Sequence, residues 1–250
     1  MSLLAVENVT VSFGGIAALR GVSMRVERGE IRGLIGPNGA GKTSLLNAIT
    51  GLVAPRSGNI QFEQQDITAL EPDRICGIGI GRTFQHVELF REETVLDNVL
   101  TGVDRHYAYR LAPAVLGLSK RLDRQARREA ETLLEAFALT PHAGLRASDL
   151  PFGIQKRIDM ARALAVRPRL LLLDEPVSGM SEAEANEAIA TTRVLARERD
   201  IALLMVEHNM RVMMQLAERI TVMHQGGIIA EGTPAEIQAD RAVIDAYLGE

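Results

Sequence analysis

The octapeptide GPNGAGKT, Gly36 to Thr43, constrains this chain more than any other stretch. It fits the pattern G-x-x-x-x-G-K-[ST] and stands between an apolar run, Ile31 to Ile35, that reads as a strand, and a segment, Ser44 to Thr50, that reads as a helix. Glycines at 36, 39 and 41 let the backbone wrap closely around an anion, so that several N–H groups and the following helix N-terminus all point at it. Pro37, Asn38 and Ala40 complete the loop, and Ser44 opens the helix. Lys42 supplies a positive charge for the β- and γ-phosphates of a nucleotide. Thr43 offers its hydroxyl to Mg²⁺, an ion that keeps most of its octahedron filled with phosphate oxygens and water. A Gly-rich turn before a helix is the bland alternative, and the two correct flanks argue against it.

A nucleotide held this way needs a carboxylate for its metal. The run LLLLDEP provides one: four leucines form a buried strand with Asp174 at its end, the expected Mg²⁺ ligand. Glu175 follows at the strand's C-terminal edge, where a carboxylate faces the nucleotide crevice and can polarise an attacking water. An acidic pair after a strand is by itself more often a solvated strand end or a helix cap. Its company with the phosphate loop changes that reading.

Further strands are expected at Leu3 to Phe13, Val22 to Val26, Asn59 to Phe62 and Ile78 to Phe84, then at Leu170 to Leu173, Ile201 to Val206, Ile220 to His224 and Ile228 to Ala230. Several are nearly uninterrupted apolar runs, as in strands covered on both faces. Between about 86 and 165 the period changes. Leu122, Ala126, Ala130, Leu133, Leu134 and Phe137 recur at helical spacing among charges, which predicts an amphipathic helix that Pro141 ends, with Pro151 and Pro168 as further breaks. The expected architecture is α/β: a nucleotide-binding core from 1–85 and 161–250, with a helical subdomain inserted over 86–160. No uncharged apolar run reaches the roughly 20 residues that span a bilayer, and the opening MSLLAVENVTVSFGG lacks the basic patch and long apolar run of a signal peptide. The single cysteine, Cys76, can make no intramolecular disulfide, which fits a reducing compartment, and a net charge of -4 gives no global reason to expect nucleic acid, leaving only a local basic patch open. His86, His106, His142 and His224 form no metal-ligand constellation in the sequence.

Across essentially its whole length the chain resembles the ATPases of ABC transporters, several motifs agreeing in order and spacing. The resemblance implies a P-loop NTPase of the ABC type, with a mixed sheet flanked by helices and an inserted helical signature subdomain, using ATP and Mg²⁺. It assigns Phe13 to stacking on adenine, a position that would otherwise be a core residue. Gln85, in GRTFQ, matches the glutamine that touches metal and water and links the site to the membrane subunit, and His208, in VEHN, matches the histidine near the γ-phosphate. The family signature, commonly LSGGQ, reaches across a dimer to the partner's ATP. Here it reads LPFGIQ: Leu150, Pro151, Phe152, Gly153, Ile154 and Gln155. Pro151 replaces the usual serine, Ile154 a glutamine, and Ser181 stands where an aspartate is common.

Within the family, VSFGGIAAL, GIGRTFQHVELFREETVLDNVLTG, VEHNM and AEGTPAEIQADRAVIDAYLG look like the LivG-type subunit of branched-chain amino-acid importers. This implies permease subunits, a second ATPase subunit in a homo- or heterodimer, and, indirectly, a periplasmic or extracellular substrate-binding protein, with the chain peripheral on the cytoplasmic face of the membrane. Related importers for urea, other amino acids or aromatic acids share the pattern. A soluble ABC protein acting on nucleic acid would usually carry two cassettes or a long coiled coil, and exporter ATPases are often fused to their membrane domain.

Overall fold

The computed structural model describes residues 2–85, 87–104, 119–207, 213–214 and 216–248. The chain packs as two compact units. The first comprises Met1–Arg82, Arg169–Glu175 and Ala196–Glu250, the second Thr83–Pro168 and Pro176–Leu195. These limits differ from those expected at 86 and 160. One helix, Phe152–Ala165, runs through the expected boundary, and the later helix Glu182–Glu198 packs on it, with Thr192 Oγ1 3.6 Å from Met160 Sδ.

In the first unit a six-stranded sheet has the order β10-β9-β3-β8-β7-β6. Its strands are β3 (Ile31–Ile35), β6 (Ile80–Arg82), β7 (Leu170–Asp174), β8 (Ala202–Val206), β9 (Arg219–His224) and β10 (Gly227–Gly232). All neighbours run parallel except β9 and β10. Every residue of β3, β7 and β8 is buried, which explains their unbroken apolar composition. A second, four-stranded antiparallel sheet has the order β2-β1-β4-β5, from β1 (Ser2–Phe13), β2 (Ile16–Glu27), β4 (Ser57–Phe62) and β5 (Gln65–Asp66). From Val22 to Glu27 buried and exposed residues alternate along β2, the mark of a sheet covered on one face. This second sheet stands in addition to the mixed sheet that the resemblance implies. Helix α1 (Lys42–Ile49) shares the core of this unit through Leu45, Leu46 and Ile49, packed with Leu34, Leu172 and Val206. Helix α2 (Pro72–Gly77) contributes Ile75 to the same core.

The second unit is helical: α3 (Val95–Asp104), α4 (Ser119–Ala136), α5 (Phe152–Ala165) and most of α6 (Glu182–Glu198). Helix α4 buries Ala126, Ala130, Leu133 and Leu134, the stripe its periodicity foretold, with Phe137 buried just beyond its end. It does not extend to Pro141. It stops at Ala136 because Ala138 turns left-handed, at φ 55°, while Leu139 N–H donates to Leu134 C=O and Ala138 N–H to Glu135 C=O. That pair of reversed bonds is a Schellman closure, built here without glycine. Gly102 allows close helix contact, since a Cβ there would lie 2.6 Å from the Arg162 carbonyl oxygen. The C-terminal α7 (Pro234–Ala239) and α8 (Arg241–Leu248) belong to the first unit.

Candidate nucleotide site

Strand register brings the two sequence motifs of the first unit level with each other. Val206 of β8 pairs with Leu34 on one side and with Asp174 on the other. With about 4.8 Å between strands, Leu34 and Asp174 stand roughly 10 Å apart at the same carboxyl edge of the sheet. The phosphate loop leaves β3 there, and the acidic pair leaves β7.

The loop from Gly36 to Gly41 is shaped by its glycines. Gly36 is left-handed at φ 149°, and a Cβ on it would meet the Met223 carbonyl oxygen at 2.1 Å. Gly41, at φ 104°, precedes the first residue of α1, and a Cβ there would lie 2.6 Å from the Ala18 carbonyl oxygen. The loop is therefore wedged between β2 and the β9–β10 turn. Gly226 N–H donates to Ala40 C=O, and Arg20 N–H to Gly226 C=O. Pro37 and Ala40 are buried, whereas Asn38 and Gly39 are exposed. Lys42 is 6% exposed, and its ammonium donates to the carbonyls of Gly36 at 2.6 Å and Pro37 at 2.9 Å. Its charge is thus held over the loop. Thr43 is exposed and Ser44 half-buried in the first turn of α1, where backbone N–H groups have no partner within the helix.

Asp174 is 1% exposed. Its Oδ2 accepts from Arg82 Nη2 at 3.0 Å, and Arg82 Nη1 also donates to Asn47 Oδ1 at 2.8 Å and Thr50 Oγ1 at 3.1 Å. Burial pulls the Arg82 guanidinium below its ordinary pKa, against the stabilising pull of Asp174. Arg82 therefore ties α1, which follows the phosphate loop, to the acidic end of β7. Sequence reasoning passed over it, because an arginine closing an apolar strand looks like a solvated end. A buried carboxylate and an exposed hydroxyl, both oxygen donors, suit Mg²⁺, which takes one or two protein oxygens and fills the rest of its shell with phosphate and water. Glu175 is half-buried and left-handed at φ 48°, its N–H donating to Val206 C=O at 2.9 Å. A non-glycine residue in that conformation is strained, and such strain concentrates at functional positions. Phe13 is 50% exposed at the tip of the β1–β2 hairpin, where it pairs with Ile16. Its ring is not a core residue but an open apolar face. His208 lies outside the described residues.

Gln85 and the segment 150–155 belong to the second unit. Gln85 is exposed, and its carbonyl accepts from Lys156 Nζ at 3.0 Å. Leu150 is buried, Pro151 is the N-cap of α5, and Phe152, Gly153, Ile154 and Gln155 form its first turn. Pro151 has no hydroxyl, and α5 accordingly has no side-chain cap, although Gln155 Nε2 donates back to Leu150 C=O at 2.8 Å. Ser181 caps α6: its Oγ lies 2.6 Å from Glu184 Oε2, which also accepts from Ser181 N–H at 3.0 Å. Within α5, burial pushes the Asp159 carboxyl up, against the pull of Arg162, Lys156 and the Phe84 N–H.

A largely parallel sheet with a phosphate loop on one strand and a buried aspartate on another defines a nucleoside-triphosphate-binding protein of the P-loop class. The chain belongs to the ABC transporter family, whose sequence model matches residues 19–178. A second family model, described as the branched-chain amino acid ATP-binding cassette transporter, matches residues 228–250. Among similar proteins are the high-affinity branched-chain amino acid transport ATP-binding proteins BraF of Pseudomonas aeruginosa, 37% identical, and LivG of Salmonella typhimurium, 39% identical, each aligned over 99% of this chain and 98% of its own length. Among solved structures, a nucleotide-free ATP-binding cassette from an ABC transporter superposes with a TM-score of 0.85 at 32% identity, covering all of both chains. An ATP-binding cassette of an ABC transporter in its ADP conformation gives 0.83 at 31% identity, again covering all of both chains.

Proposed function

We propose that this chain is the ATP-hydrolysing subunit of an importer for branched-chain amino acids, working on permease subunits at the cytoplasmic face of the membrane and closing on a second ATPase subunit. The observation that carries the cargo is the likeness of its C-terminal segment, 228–250, to the branched-chain family, alongside full-length likeness to proteins named for that transport. Hydrolysis rests on the shared sheet edge of the phosphate loop, Asp174 and Glu175. No described helix is long and apolar enough to cross a membrane.

In this reading Lys42 and the backbone N–H groups of 36–44 bind the β- and γ-phosphates of ATP, and Phe13 stacks on the adenine. Thr43, Asp174 and Gln85 would hold Mg²⁺, and the bound ion supplies neutralisation of charge on the phosphate oxygens. Glu175 accepts the proton of the attacking water, and His208 holds the γ-phosphate. The segment 150–155 addresses the partner's ATP. ATP binding favours the closed pair through contacts that exist only when it is closed, and loss of the γ-phosphate removes them.

The test is uptake of radiolabelled leucine, isoleucine, valine, urea and benzoate by cells lacking this protein, complemented with wild type or Lys42→Ala. Restoration of the branched-chain set by wild type alone supports the reading. Restoration of urea or benzoate alone keeps the motor and changes the cargo, and no restoration of any of them overturns the importer.

A further inference from the structure

We infer that Lys156 and Asp159 are positioning residues that clamp the backbone of Phe84 and Gln85 to the signature helix, so that the subunit's two nucleotide contacts are coupled through α5. The inference rests on the function proposed above, in which Gln85 serves this chain's own ATP and 150–155 serve the partner's.

Three residues of α5, Phe152, Lys156 and Asp159, fall at spacings of four and three and share one helix face. Lys156 is 2% exposed, an unusual place for an ammonium group, which is costly to bury unless fully engaged. It is engaged on two sides: Nζ donates to Gln85 C=O at 3.0 Å and lies 5.6 Å from the centroid of the Phe152 ring, within cation–π range. Asp159, also 2% exposed, accepts from the neighbouring Phe84 N–H. Arg162 Nη2 holds Asp159 Oδ1 at 2.7 Å from one turn further on.

A donor and an acceptor on one helix thus meet the carbonyl of Gln85 and the N–H of Phe84. Both residues lie outside any helix or strand. Simple filling of the helix interface would be met by leucine or methionine at 156. What the charged pair adds is a fixed register between the backbone that carries the Gln85 side chain and the first turn of α5, where Phe152 stands in place of the first glycine of the common signature. A displacement of Gln85 therefore reaches Phe152 through a single ammonium group.

The experiment uses the complete transporter, this subunit assembled with its permease and second ATPase subunit in liposomes, carrying Lys156→Met, Lys156→Arg or Asp159→Asn. Affinity for ATP is measured with a fluorescent ATP analogue, turnover against ATP concentration, and amide hydrogen exchange at 83–85 and along α5. For Lys156→Met the expected result is ATP affinity within about twofold of wild type, turnover and transport lowered about tenfold, and loss of cooperativity in ATP. Exchange should rise at 83–85 while α5 stays protected. Lys156→Arg should restore most of the turnover, and Asp159→Asn should loosen the Phe84 amide. Unchanged exchange at 83–85, or loss of α5 protection together with ATP affinity, overturns the clamp. A wild-type complex that hydrolyses no ATP overturns the proposed function instead, and the exchange measurement still decides the clamp.

Discussion

Glu175 occupies a left-handed backbone position, φ 48°, that glycine would adopt without strain. Two substitutions separate its conformation from its chemistry. Glu175→Gln keeps the strain and removes the proposed base, so ATP binding should persist while turnover falls about 10²- to 10⁴-fold. Glu175→Gly should lose turnover equally and gain about 1 kcal/mol in chemical denaturation, because the left-handed penalty disappears. Equal turnover in wild type and Glu175→Gln would remove Glu175 from the chemistry. Arg82 poses the opposite case. Its ion pair with Asp174 is buried on both sides, and removal of one member of such a pair typically costs about 3 kcal/mol. Arg82→Met should therefore destabilise the first unit by about that amount, and the double variant Arg82→Met/Asp174→Leu by less, although only the double variant loses the carboxylate proposed to hold Mg²⁺. The phosphate loop and the acidic pair were legible in the sequence because each is a contiguous run with a fixed chemical task. Arg82 was not, since its partners Asn47 and Asp174 stand 35 and 92 residues away and only the folded sheet brings them to it.

Elements were legible where periodicity was strong and less so where they end. The apolar runs of β3, β7 and β8 and the stripe of α4 follow directly from burial, whereas the second sheet depends on long-range pairing of β1 with β4 that no local pattern reveals. The end of α4 shows the same limit: Pro141 was the visible breaker, yet closure occurs earlier through Ala138. Ala138→Gly should stabilise the second unit by about 1 kcal/mol, measured by denaturation, because glycine adopts the left-handed position more readily. The start of α6 is a capping box of Ser181 and Glu184 in SEAE, a role hidden by reading Ser181 only as a replaced aspartate. Ser181→Ala should cost about 1 kcal/mol. Hydrogen bonds from the Ser181 side chain and backbone lower the Glu184 pKa below its ordinary 4.5. A carboxyl lowered in the folded state contributes stability that is full above the ordinary value and is lost as pH falls through the folded value. Amide protection in the first turn of α6 should therefore decline on the acid side of 4.5 in wild type. In Glu184→Gln that decline should be absent, and an identical decline in both would exclude this cap as its source.

At the scale of the assembled transporter, the two ATP sites of the proposed pair need not be equal. In the proposed pair, the site built on Lys42, Asp174 and Glu175 would borrow its signature from the partner. The opposite site borrows the signature of this chain. There, Pro151 caps α5 without a hydroxyl, Ile154 replaces an amide, and the Ser181 hydroxyl is bound to Glu184. A γ-phosphate at that site can still meet the backbone N–H groups at the start of α5, but it lacks the side-chain donor that the common serine supplies. With a different ATPase subunit as partner, turnover should therefore concentrate at the site holding Lys42. Replacement of Lys42 by alanine in the complete complex should abolish most hydrolysis, and replacement of the partner's P-loop lysine should leave a larger residue of activity. Restoring the hydroxyl with Pro151→Ser should then raise turnover at the slow site without changing ATP affinity at the fast one. Equal loss from the two lysine replacements, together with no response to Pro151→Ser, would show that the altered signature does not set the rate. If the partner is instead a second copy of this chain, both sites borrow the same signature, and Pro151→Ser should raise the activity of the whole complex.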